Sequence, residues 1–538
     1  MSASPASSPS APASTSVPHL VEALRADLAA AGFGVDTLTT LWGDAAAAAL
    51  HRGHRVPCLR AVDRLLDDSG SGNRLAVLAR LLVLNSAVSE VALAAALPTL
   101  TVPGAVTLGI VAEPVGGSVS PLVDLRPSSF VDSTGVGGWW IASDLGEVAV
   151  GRPLREDHVL GVGGASTTLS GLIVHRPVEA ALDLGTGCGI QALHLSRHAA
   201  RVVATDISTR ALDFARFNAA LNGVDSIEFR HGSLFDPVEG EVFDHIVSNP
   251  PFVITPRAPG VPRYEYRDGG LDGDALVESV LSNAVRHLRP GGIAQMLGNW
   301  EYRDQNADEN FSGDAFDRIR SWVASPGAEP VDVWVVERER QDPAAYAETW
   351  IRDGGTRTGD AADALENAWL DDFATRGVVT VGFGYVTLRR PDAIASPPIV
   401  PGERFERLSR PVGAAGSLGG HLEHALEARA RIRSMDDDEV LATAFVVAPD
   451  VTEERHYWPG ADDPTVMTLR QGGGFGRTTD LATETAAFVG ACDGTLTTVA
   501  IIAALAEILD ADDAGLRHVM LPLVRELVET GVLLLPVA

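Results

Sequence analysis

Between residues 19 and 100 the apolar positions recur at helical spacing. The stretch NRLAVLARLLVLNSAVSEVALAAAL (73–97) divides into two apolar-faced helices that meet near Asn85-Ser86, a helix-turn-helix-like spacing. Short β-like runs follow, AVTLGIVAEPV (105–115), SPLVDLR (120–126) and GWWIASD (138–144), separated by Gly and Pro. Helices followed by a β-wing predict a winged-helix-like domain over 19–150. The helix expected at 88–97 carries Glu90 and no Arg, which favours a packing or substrate-holding module over a DNA reader.

From 178 to 300 the period changes. Strand patterns at EAALDLG (179–185), RVVATD (201–206), IEFRHG (227–232), FDHIVSN (243–249) and GGIAQMLG (291–298) alternate with helical patterns such as RALDFARFNAALNG (210–223). That alternation predicts an α/β, Rossmann-like parallel sheet covered on both faces. Two later β-runs, VDVWVVERE (331–339) and VVTVGFGYVTLRR (378–390), predict an antiparallel pair at one edge. Between them 340–377 is read as a helical insertion bearing Trp350 and Trp369, so this domain runs over 151–391. Pro/Ser-rich DAIASPPIVPGE predicts a linker at 392–403. TTVAIIAALAEIL and LRHVMLPLVRELVETGVLLLP then give helix, helix and a short strand, a second winged-helix-like module over 404–538.

Composition narrows the class. The Ser/Pro/Ala-rich opening reads as a disordered tail over 1–18, with neither the basic nor the apolar region of a signal peptide. No charge-free apolar run is long enough to span a membrane, and three scattered cysteines suit a reducing, cytoplasmic setting. The formal charge is −29, all 42 basic residues are arginine, and residues 301–538 alone carry 21 Arg against 41 acidic groups. Such a field repels phosphate backbones and gives no footprint for nonspecific nucleic-acid binding.

Two motifs carry chemistry. ALDLGTGCG (181–189) ends a strand in an acidic residue followed by Gly185, Gly187 and Gly189, a pattern that turns the chain sharply and lets a ligand approach bare backbone. The next strand ends at Asp206, where a carboxylate is placed to accept from ribose hydroxyls; a dinucleotide site or simple helix capping fits the same residue. The second motif, SNPPF (248–252), breaks an apolar strand with two prolines, which cannot continue a ladder. A rigid Pro-Pro there holds the Asn249 side-chain oxygen and the Pro250 carbonyl as two fixed acceptors. Together they grip the two hydrogens of a planar NH2 group, with the ring of Phe252 able to stack on it. Orientation, not a strong base, is then the catalytic contribution.

The whole constellation, over roughly 155–300, resembles the class I S-adenosylmethionine-dependent methyltransferases, in the branch with a [D/N/S]-P-P-[Y/F/W] motif that methylates amino or amide nitrogens. The resemblance implies that Asp183, Gly185, Thr186, Gly187 and Gly189 cradle the methionine part of S-adenosyl-L-methionine, and that Asp206 and Ile207 flank its ribose. Ser233 and Leu234, in HGSLFD, would lie beside the adenine, with Ser233 standing where the family commonly has Asp. Asn249, Pro250, Pro251 and Phe252 match the catalytic motif, Asn249 also bordering the cofactor; no metal is implied. Within the branch the chain is similar to release-factor glutamine methyltransferases and to small-domain RNA guanine-N2 methyltransferases. The acceptor is thus expected to be a protein glutamine or an exocyclic base amine, with a small metabolite or a noncatalytic adaptor role as alternatives. Oligomeric state is left open.

Overall fold

A computed structural model describes residues 12, 17–69, 73–132, 134–151, 154–304, 314–324, 330–356, 359–392, 394, 399–408 and 418–536. Most of the expected N-terminal tail, and 393 and 395–398 of the expected linker, lie outside the described residues. At the centre is an eight-stranded sheet. Its strands are β1 (Val178–Leu184), β2 (Ala199–Asp206), β3 (Ile227–His231), β4 (Phe243–Ser248), β5 (Leu288–Arg303), β6 (Asp332–Gln341), β7 (Val378–Arg389) and β8 (Glu403–Arg407). They lie in the order β8-β6-β7-β5-β4-β1-β2-β3. β1 to β5 pair in parallel, and β7 runs antiparallel between β5 and β6. The chain steps outward from β1 through β2 to β3, then returns to place β4 on the other side of β1. The direction of winding switches there, so a crevice opens at the carboxyl ends of β1 and β4.

Both sheet faces are covered. Val280, Leu281, Ile319 and Trp322 of helices Ala275–Ala284 and Ala315–Val323 pack on one face with Ile246, Ala294 and Met296. Helices Gly164–Leu172 and Leu418–Ser434 cover part of the other through Leu169, Leu172, Leu422 and Leu426. The segment between β6 and β7 forms helices Pro343–Asp353 and Asp360–Thr375, which bury Tyr346, Trp369 and Phe373 against Val253, Ile254 and Val381.

The N-terminal unit is continuous with this core. Helix Thr209–Asn222 turns Phe214, Phe217 and Leu221 into one cluster with Leu24, Leu28, Leu125 and Ile141, each fully buried aromatic contributing roughly 1.5–3 kcal/mol. Asn218 exchanges two hydrogen bonds with the backbone of Ala142, and Asn222 does the same at Trp140. These two amides continue the edge of the hairpin Val123–Asp132/Gly135–Asp144 onto a helix. The run 105–115, expected as a strand, instead begins inside helix Val102–Thr107. Thr101 Oγ1 accepts from Gly104 N (3.3 Å) and a proline occupies the first turn, so local capping overrides the β-like composition.

At the other end a boundary needs correction. β8 pairs in parallel with β6, so a linker ending at 403 and a module beginning at 404 would divide a strand of the central sheet. ERFER is too short and too charged to read as a strand; pairing with β6 makes it one, and Phe405 packs beside Phe316 with ring centroids 5.2 Å apart. The C-terminal helices are then locked to the sheet by charge. Arg429, 0% exposed, lies over Trp334 and beside Asp332; Arg433 Nη1 donates to Asp332 Oδ1 (2.9 Å) and Nε to Glu529 (2.8 Å). Asp332 is itself buried next to Arg389. Removing one partner of such a cluster leaves uncompensated buried charge. Asp332→Ala is therefore expected to destabilise the chain by about 3–5 kcal/mol. A thermal melt within a degree or two of wild type would show the cluster to be dispensable.

Candidate functional site

Register brings the two motifs together. Leu184, the last residue of β1, pairs with Thr205 of β2 and with Ser248 of β4. The next residues, Gly185, Asp206 and Asn249, therefore line up across three adjacent strands at one edge of the sheet. Ser248 Oγ donates to Leu184 O (2.8 Å) and fixes the end of β4 against β1.

The glycine loop is stitched to β2. Gly185 N and Thr186 N both donate to Thr205 O (2.9 Å each), and Gly187 N donates to Asp206 Oδ2 (2.8 Å). Gly185 (φ 75°) and Gly187 (φ 55°) adopt left-handed backbone that a side chain would strain, and no atom lies within 4 Å of where their Cβ would stand. Open space of that kind above a loop is what a bound group requires. Gly189 is different: a Cβ there would meet Ala215 Cβ at 3.0 Å, so its smallness serves the packing of helix Ile190–Leu195 on helix Thr209–Asn222.

Asp183 is fully buried. Its Oδ2 accepts from Thr186 Oγ1 (2.6 Å) and Ala192 N (2.9 Å), while Oδ1 has no partner. Burial outweighs those bonds and pushes its carboxyl up to about 7. Asp206 also accepts from Ser208 N (2.8 Å), and burial raises its carboxyl, with Glu265 adding to the rise. Beside it Ile207 is 62% exposed, an apolar platform next to a carboxylate that suits a ribose with a flat ring attached. Leu234 (φ 45°) lies half-buried after β3, and Ser233 is exposed with its carbonyl capping the turn to Asp236.

Asn249 Oδ1 is buried and accepts no hydrogen bond. Pro250 is buried, and Phe252 packs on Phe383 with centroids 5.5 Å apart. Beyond the motif a cleft of about 120 Å³ is lined by Val253, Thr255, Arg257, Tyr264, Glu265 and Asp268, among others. The chain bounding it is tied back: Val253 N donates to Arg267 O (3.0 Å), and buried Arg267 donates to Trp350 O (2.8 Å) of the insertion. That contribution was invisible in the sequence, because Arg267 and Trp350 are 83 residues apart. Burial pushes the Cys188 thiol up to about 12, so it is no nucleophile. His175 precedes β1 at the opposite end of the sheet, near Asp132. Among the described residues no group of three or more His, Cys, Asp or Glu is placed to hold a metal ion.

Residues 163–313 match the family described as Methyltransferase small domain, and domains of unknown function match on either side, DUF7059 over 30–121 and DUF7782 over 425–535. The chain is similar to a release factor glutamine methyltransferase of Xylella fastidiosa, 37% identical over 135 residues (24% of this chain, 49% of the relative). It is 35% identical over 158 residues (27% and 48%) to a ribosomal protein uL3 glutamine methyltransferase of Bradyrhizobium diazoefficiens. A release factor glutamine methyltransferase of Moorella thermoacetica is 41% identical over 120 residues (21% and 42%). The chain spans about half the length of the curated relatives it matches. The central domain is thus similar to methyltransferases over 163–313.

Two outcomes are expected. Asp206→Ala removes the bonds from Gly187 N and Ser208 N and the carboxylate expected to meet a ribose, so affinity for S-adenosylhomocysteine should fall about ten- to a hundredfold by calorimetry, equivalent to roughly 1.5–3 kcal/mol. Unchanged affinity would remove this residue from the site. For Asp183, the folded chain keeps a proton that the unfolded chain loses near pH 4, and gives it up only near its raised value of about 7. Its contribution to stability is thus full below about pH 4 and lost as pH rises to 7, at ~1.4 kcal/mol per unit. Melting temperatures of Asp183→Asn between pH 4 and 8 should fall less steeply than those of wild type; parallel profiles would show that burial does not hold the proton.

Proposed function

We propose that the chain transfers a methyl group from S-adenosylmethionine to the side-chain amide nitrogen of a protein glutamine. The observation that carries this reading is the buried, unpartnered Oδ1 of Asn249, held beside the glycine loop and Asp206. The relatives' names support glutamine as acceptor, and a charge of −29 argues against a nucleic-acid one.

When bound, the cofactor supplies an electrophilic methyl on a sulfonium. Gly185 and Gly187 leave room for its methionine part, and the buried, unpartnered Asp183 Oδ1 lies at the base of that loop, where it would meet a polar group of the methionine. Asp206 retains free lone pairs on both oxygens for ribose hydroxyls. Ile207, Leu234 and Ser233 would border its adenine. Asn249 Oδ1 and Pro250 O accept the two N–H groups of the acceptor amide. That grip holds the nitrogen still and turns its lone pair out of conjugation, toward the methyl. Phe252, its ring braced on Phe383, bounds the plane of the amide.

The flanks fit winged-helix-like modules in element order. In the first, helix Arg74–Leu78 and its continuation Ala79–Val83 lead to strand Val88–Ser89, helices Glu90–Ala96 and Val102–Thr107, and a return strand Ser118–Val119 that pairs with Val88–Ser89. In the second, helices Thr498–Leu509 and Asp513–Glu529 precede strand Leu533–Leu534, which pairs with Val446–Val447. Without a basic face, both are read as modules that hold a protein acceptor in the cytoplasm. No helix among the described residues is long and apolar enough to cross a membrane.

Asn249→Ala should leave cofactor affinity nearly intact and slow methyl transfer on the order of a hundredfold or more, the loss of a polar contact worth about 2.7–4 kcal/mol in the transition state. Asn249→Asp should be milder, since a carboxylate still accepts from the amine. Single-turnover rates with labelled cofactor and an unmethylated release factor separate binding from chemistry. Transfer by Asn249→Ala at the wild-type rate would reduce SNPPF to a turn.

A further inference from the structure

A second amide stands behind the motif. Asn299, on β5, is 1% exposed, and its Nδ2 lies 2.6 Å from the Oη of Tyr346, which comes from the first helix of the insertion. Ile254 N–H also donates to that Oη (3.1 Å). With the amide so oriented, Tyr346 Oη receives two hydrogens and its own meets no acceptor, while Asn299 Oδ1 is buried without a donor. Two unmet groups side by side call for a half-turn of the carboxamide, whose oxygen and nitrogen are nearly isosteric. Tyr346 O–H then donates to Asn299 Oδ1. The short separation supports this orientation, because O–H···O bonds centre near about 2.7–2.8 Å and N–H···O bonds near about 2.9–3.0 Å. The position that no donor reaches is thereby taken by Nδ2, itself an N–H donor.

Its place is set by register. β4 and β5 pair in parallel from His245↔Ile293 to Ser248↔Met296, and β5 runs on to Asn299, which pairs with Phe383, the residue whose ring packs on Phe252 at 5.5 Å. One strand over, Asn249 Oδ1 is also buried and unsatisfied. One is an acceptor and the other a donor. An amide side chain is their complement, with NH2 for Asn249 and C=O for Asn299; an alkyl amine has no oxygen to offer and would leave the Asn299 N–H buried and unpaired.

We propose that Asn299 determines specificity by donating to the carbonyl oxygen of the acceptor carboxamide, and that Tyr346 is the positioning residue that locks its orientation. The inference rests on the reading of glutamine as acceptor and adds the group that selects it. Because a hydrogen bond to the carbonyl is made before and during transfer, its loss should appear in KM and leave kcat nearly unchanged.

The test uses the full chain, labelled S-adenosylmethionine and purified unmethylated release factor. Asn299→Leu is expected to raise KM for that protein about ten- to a hundredfold, with kcat within about threefold and S-adenosylhomocysteine affinity unchanged. Tyr346→Phe keeps the ring, loses the hydroxyl that locks the amide, and should raise KM in the same sense by a smaller factor. Asn299→Asp, which can only accept, should be no better than Asn299→Leu. If Asn299→Leu does not fold, the KM of Tyr346→Phe decides the matter. An unchanged KM, or a fall in cofactor affinity and kcat together, would overturn the inference while leaving the glutamine reading in place. A wild-type chain that labels no glutamine in the release factor would overturn both.

Discussion

The Asp206 carboxylate accepts from Gly187 N and Ser208 N, and so joins the glycine loop to the end of β2. The backbone of that loop is in left-handed conformations and would not keep its shape alone. With Thr205 O receiving two further N–H groups, the loop becomes an extension of the sheet edge. Everything else at the site is measured from that edge, because Asn249 follows the residue paired with Leu184 on the opposite side of β1. The glycine loop on one flank and the Asn249 amide on the other are thereby held by main-chain geometry.

The flanking units attach to this edge-centred core by different physics. On the N-terminal side, apolar burial around Phe214 and Phe217 is combined with Asn218 and Asn222, whose amides satisfy the hairpin backbone as another strand would. On the C-terminal side, arginine does the joining. Arg404, Arg429, Arg433 and Arg477 meet Asp332, Glu406, Glu526 and Glu529 in an environment where planar guanidinium groups also lie over Trp334. Such clusters cost more desolvation than an apolar contact, but each wrong pairing within them is costly too, which favours one docking geometry.

The insertion between β6 and β7 performs a third task. It buries its aromatic face against Val253 and Ile254, holds Arg267, and brings Tyr346 to the back of the motif. The chain beyond SNPPF is therefore shaped by helices entering from about a hundred residues later. The groups proposed to select the acceptor and those proposed to cradle the cofactor thus come from separate parts of the fold, one from the insertion and β5, the other from the first two strands.

The strand and helix periods of 178–300, the order of the glycine loop, Asp206 and SNPPF, and the helices around residues 350 and 370 were legible from the chain alone. They are local: a period of two or 3.6 records which face is buried, and glycine or proline at a strand end records a backbone requirement. The helix at 102–107 escaped because its composition is β-like while its cap is not. β8 escaped because five charged and aromatic residues have no readable period, and pairing with β6 alone makes them a strand. Motif order likewise determined which residues belong to a site, but their alignment across β2, β1 and β4 arises only when the sheet forms. The partners of Asn299, Asp332 and Arg267 lie 47 to 101 residues away. No local pattern encodes such pairings, since they depend on chain closure and on the burial that makes an unsatisfied polar atom expensive.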